Sequence, residues 1–109
     1  MSYKEYKTNN GDKIVEAIKE ILKEEQLDYK DNRHFKVHQR YYLMWFAREH
    51  STLSLSAVGH LFGRKHDNVI HAIRQHIFHT ENIHYDRTYT DNTSTIRDYL
   101  FEQFPSLFR

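Results

Sequence analysis

The sequence predicts an all-α chain forming a single domain of about five helices. Three observations carry that prediction. The 109 residues hold only three glycines and one proline, so little punctuates the chain as a turn-rich β-architecture would require. Apolar residues recur at spacings of three and four, and no stretch alternates as a strand does. Aromatic residues reach 15%, which excludes a disordered tail. A chain of this length buries a core without disulfides or metal.

Residues 1–9 are polar and lack apolar periodicity, which predicts a loose N-terminal arm before a domain spanning 10–109. Thr8 or Asn10 is placed to cap the first helix, with Asp12 in its first turn, where the helix dipole favours an acid. Ile14, Ile18, Ile21 and Leu22 then mark one helical face to about Glu25. Gln26–Lys36 reads as a polar connection. From Val37 to His50 apolar residues occupy several faces, which predicts a central, largely buried helix. Ser51–Ser54 is a break, and Ser54 caps a short helix with Leu55, Val58, Leu61 and Phe62 inside. Gly63 sits where that helix stops. The next helix carries Asp67 in its first turn and turns Val69 or Ile70, Ile73 and Ile77 inward. Ile83–Thr90 is the one candidate for an extended segment. Asp91, Asn92 or Thr93 caps a last helix with Ile96, Leu100 and Phe104 inside, ended by Pro105.

Composition removes several function classes. With no cysteine, a disulfide scaffold, a thiol nucleophile and a thiolate zinc site are excluded. The three glycines, 11, 59 and 63, form no phosphate-binding loop. Glu24 and Glu25 read as a solvated helix face rather than an acid–base pair. The His34/His38 and His76/His79 spacings suit metal, but no motif marks a third ligand, so no cofactor is expected. The chain is therefore read as a non-enzyme. No apolar run spans a bilayer and no export segment is evident, so a cytoplasmic, nucleoid-associated location is expected.

The net charge of +1 conceals three blocks. Residues 1–31 carry six lysines and eight acids, residues 32–80 carry seven lysines and arginines against Glu49 and Asp67, and residues 81–109 carry three arginines and five acids. Eight of the nine histidines fall in the central block. A basic centre between acidic flanks points to an anionic partner.

Within that centre, SLSAVGHLF, GRK and HDNVIHAIRQHI form two helices joined by a short turn containing glycine, the helix-turn-helix pattern, with a motif core of 54–80. Its second helix enters the major groove tip first. Arg64, Lys65 and Arg74 supply charge. His66, Asp67, Asn68 and His71 supply donors and acceptors suited to base edges. Two readings of His71 stand, a core hydrogen bond or a DNA contact, and two of Asp67, a helix cap or a base contact.

The stretch Ala47–Ile77 resembles the DNA-binding C-terminal domain of the replication initiator DnaA family. The likeness rests on Ala47, Arg48, Glu49, Ser54, Leu55, Gly59, Phe62, Gly63, Arg64, His66, Val69, His71 and Ala72, in order and nearly in register. It continues more weakly back to Lys13, and residues 85–109 carry no match. The resemblance implies an all-α helix-turn-helix related to the Trp repressor, binding double-stranded DNA sequence-specifically. It implies major-groove and phosphate contacts at Arg64 and His66–Asn68. It also implies minor-groove contacts from the region holding Arg33, His34, Lys36, His38 and Arg40. The chain departs from the pattern at Lys65, Asp67 and Asn68, at Ser56 where proline is common, and in a turn one glycine shorter. The expected interface is thus Lys36, His38, Arg40, Ser56, Arg64, Lys65, His66, Asp67, Asn68, His71 and Arg74. The expected role is replication or transcription control without ATPase activity. The alternative is a protein-interaction module that lost DNA binding and pairs with a replication or host protein through its acidic ends.

Overall fold

The computed structural model describes residues 3–25, 34–81 and 87–108. Five α-helices follow one another: α1 (Tyr3–Glu24), α2 (His34–His50), α3 (Leu55–Leu61), α4 (His66–Glu81) and α5 (Arg87–Gln103). A short 3-10 helix, Pro105–Phe108, closes the chain. No strand occurs among the described residues, and the expected class and helix number are both observed.

α2 is the central helix because its apolar residues point in several directions. Leu43, Phe46 and Ala47 are fully buried, and α2 packs against α1, α3, α4 and α5 alike. α1 contributes Ile14, Ile18 and Ile21, spaced four and three apart and all buried. Burying each such side chain is worth about 1.5–3 kcal/mol. α5 covers the other side with Tyr89, Thr93, Ile96 and Leu100, again spaced by four and three. Ser54 caps α3 as expected, its side chain accepting from the Ala57 amide at 3.1 Å.

Four expectations are corrected. α1 opens at Tyr3, before the expected caps Thr8 and Asn10. A helix propagates through polar residues when no proline interrupts it, so missing apolar periodicity does not mark where α1 starts. α2 opens at His34, so Lys36 belongs to its first turns rather than to the connection. α5 opens at Arg87, so Asp91–Thr93 lie inside it and residues 87–90 are helical, not extended. The rest of the Ile83–Thr90 segment lies outside the described residues, as do Arg33 and the side chain of His34.

The fourth correction concerns the phase of α4. Val69, Ala72 and His76 face inward, Ile70 and Ile73 are half-buried, and Ile77 is exposed. The His76 imidazole stacks on the Trp45 indole at 4.1 Å and its Nδ1 lies 2.8 Å from the Tyr89 hydroxyl. A polar ring with an aromatic floor and a hydrogen-bond partner fills that position as well as an isoleucine would, so the hydrophobic pattern alone misplaces the face.

Candidate nucleic-acid interface

The site is built on the tight junction of α3 and α4. The Phe62 amide donates to the Gly59 carbonyl at 3.0 Å, Gly63 donates to His60, and the Arg64 amide also reaches Gly59 at 2.8 Å. Gly63 takes φ +66°, the left-handed conformation that glycine adopts without steric cost after a helix. A Cβ on Gly59 would lie 2.5 Å from the Arg64 carbonyl oxygen. Only glycine permits the chain to cross α3 so closely, and this crossing aims the start of α4 outward.

The first turns of α4 are consequently split by face. Val69 and Ala72 anchor the helix inside, while Lys65, His66, Asp67, Asn68, His71 and Arg74 are exposed. His66 Nε2 lies 3.1 Å from Asp67 Oδ1, with both side chains more than half exposed. The tip therefore presents a donor and an acceptor side by side. Ser56 is exposed on the first turn of α3.

Beside this tip, α2 and α4 enclose a cavity of about 230 Å³ lined by Val37, Arg40, Tyr41, Met44, Arg64, Asn68 and His71. Two guanidinium groups, an amide and an imidazole converge there with no carboxylate on the wall, a donor-rich surface suited to an anion. Arg40 is only 5% exposed, so it reaches this wall from within rather than standing out in solvent. His71 is exposed, and its Nε2 lies 3.3 Å from the Tyr41 hydroxyl in a surface hydrogen bond rather than a core one. Tyr41 is half-buried and completes this wall from α2. The signal that finds it is the stripe 37, 40, 41, 44, one face of α2 at helical spacing.

Two expected contacts are placed elsewhere. Lys36 is buried and its Nζ donates to the Glu25 carbonyl, where a cation complements the C-terminal end of α1. His38 is buried, bonded through Nδ1 to the Asn92 amide at 3.0 Å and edge-on to Tyr89. Both point toward neighbouring helices because α2 opens early and its phase is set by its aromatic residues. A phosphate-facing role for either is therefore corrected.

His76 fills the inner face of α4 behind this tip. Burial first, and then the nearby charges of His79 and Arg97, push its pKa down to about 4. It is thus neutral near pH 7, as its bond to Tyr89 and its stack on Trp45 require.

A family profile described as the bacterial DnaA protein helix-turn-helix matches residues 12–75. No curated protein and no solved structure matches the chain. No described helix is long and apolar enough to cross a membrane.

Proposed function

The chain belongs to the bacterial DnaA protein helix-turn-helix family, a family of DNA-binding domains, and on that premise we propose that it reads a specific duplex sequence through the tip of α4. The observation that carries this reading is the division of α4. Its inner face is locked on α2, while His66, Asp67 and Asn68 stand exposed directly after a turn bearing Arg64 and Lys65.

In this reading Arg64, Lys65, Arg74 and the cavity-lining Arg40 neutralise phosphates and fix the register, and Ser56 adds a hydrogen bond from α3. His66, Asp67 and Asn68 address base edges in the major groove, with His71 behind them. Asn pairs with adenine through two hydrogen bonds and Asp accepts from cytosine. Asp67 and Asn68 among these base-facing residues depart from the family pattern, so the family's common target does not carry over to this chain. The chain acts by occupying its site, in replication or transcription control, without ATP hydrolysis.

Selection of bound duplexes from a random pool tests this directly. An enriched motif, lost in Asn68→Ala, is the expected result. Absence of duplex binding at low salt overturns the reading and leaves the protein-interaction alternative.

A further inference from the structure

A second cavity, of about 170 Å³, opens at the other end of α4, lined by Tyr42, Thr80, Tyr89, Thr90, Thr93 and Arg97. His71, on the wall of the first cavity, and Thr80 are nine residues apart on one helix, roughly 13 Å along its axis at about 1.5 Å per residue. Five of the six lining residues lie beyond residue 75, where the family match ends.

Its chemistry is that of an anion site. Arg97 is half-buried, with Nη2 donating to the Thr90 carbonyl at 2.8 Å and Nε donating to Thr93 Oγ1 at 3.3 Å. Among the described residues its remaining guanidinium nitrogen makes no hydrogen bond and no carboxylate pairs with Arg97. A permanent cation held only by neutral groups is a costly arrangement unless a counter-charge visits it. Tyr42 is 4% exposed, lines the same cavity, and its hydroxyl has no hydrogen-bond partner among the described residues. Burial pushes that hydroxyl up to about 12 despite the proximity of Arg97, so it is a proton donor near neutral pH.

We propose that the cavity between Tyr42, Thr80, Thr93 and Arg97 binds a phosphate-class oxyanion, with the Arg97 guanidinium and the Tyr42 hydroxyl as its principal donors. A tetrahedral oxyanion presents oxygens in several directions, which suits a guanidinium and the Tyr42 hydroxyl set around a small cavity, while the Thr80 and Thr93 hydroxyls, already donating to the His76 and Tyr89 carbonyls, only line it. The bound ion ties α5 to α2 and to the last turn of α4, the two helices that carry the duplex-facing surface.

The test is a titration of the whole chain with inorganic phosphate, against chloride at matched ionic strength, followed by amide NMR shifts and thermal melting. The expected result is a saturable shift of the Thr80, Thr93 and Arg97 amides with a raised melting temperature in phosphate alone. Tyr42→Phe, which keeps the packed ring, weakens binding about tenfold, the usual worth of a hydrogen bond to a charged group. Arg97→Gln abolishes it, and Arg64→Ala leaves it unchanged. A nucleoside monophosphate run in parallel separates the sources: binding of both shows that the site accepts an ester, and binding of phosphate alone that it takes the free ion. An equal response to chloride, wild-type affinity in Tyr42→Phe, or loss in Arg64→Ala overturns the proposal. Because the readout uses no duplex, its failure and a failure of DNA binding are distinguishable.

Discussion

Asn68 in the first turn of α4 and Arg64 in the turn before it line the same cavity, yet the proposed reading gives them different work. Asn68→Ala is expected to erase preference among duplexes at a cost of about 1–3 kcal/mol on the cognate sequence. Arg64→Ala is expected to weaken cognate and random duplexes alike. Parallel binding isotherms on both DNAs check this, and equal effects from the two changes would remove the recognition role of α4. Tyr89 gives a contrasting case inside the core. Its hydroxyl partners His76 Nδ1 at 2.8 Å, so Tyr89→Phe leaves a buried ring nitrogen without its partner. A loss of about 1–3 kcal/mol in folding stability is expected in urea unfolding.

The junction of α3 and α4 is decided by backbone rather than by side chains. A methyl group on Gly59 meets a main-chain oxygen, which cannot swing aside as a flexible side chain can. Gly59→Ala is expected to destabilise the fold by about 1–3 kcal/mol, as overpacking does, and to displace the tip of α4. The combined signature is a lower denaturation midpoint with a larger proportional loss of duplex affinity. Unchanged affinity in a folded Gly59→Ala would show that the crossing of α3 does not aim α4.

Charge and protonation act on the whole molecule. The cations assigned to phosphate in the proposed reading are Arg40, Arg64, Lys65 and Arg74, so log K is expected to fall with log[salt] at a slope of about −3 to −4. A flat salt dependence would exclude the phosphate backbone as the partner. Acid acts through the core instead. His76 has a folded pKa of about 4 against an ordinary 6.5, so between those values the unfolded chain binds more protons than the folded one. Stability is therefore full above pH 6.5 and is lost as pH falls from 6.5 toward 4, by roughly 2–3 kcal/mol. Urea unfolding across that range checks the sign. A His76→Gln chain that remains folded is expected to lose most of this slope.

The sequence by itself determined the helical class, the centrality of α2, the Ser54 cap, the stop at Gly63 and the position of the helix-turn-helix. Each of these is a local property, set by spacing, by a capping hydroxyl or by a glycine, and local chemistry is written in order along the chain. The tertiary structure alone decided the direction each polar residue of α2 and α4 takes. Lys36, His38 and His76 carry polar labels yet are buried, because neighbouring helices supply the Glu25 carbonyl, the Asn92 amide and the Tyr89 hydroxyl that satisfy them. Ile77 carries an apolar label and is exposed, because its inward place is held by the histidine one residue before it. Helix boundaries diverged at Tyr3 and Arg87, where residues able to cap, Thr8, Asn10 and Asp91–Thr93, lie inside the helices, since a capping side chain does not by itself start a helix. A partner that makes burial of a polar group tolerable lies far along the chain and close in space, and only the packed helices bring the two together.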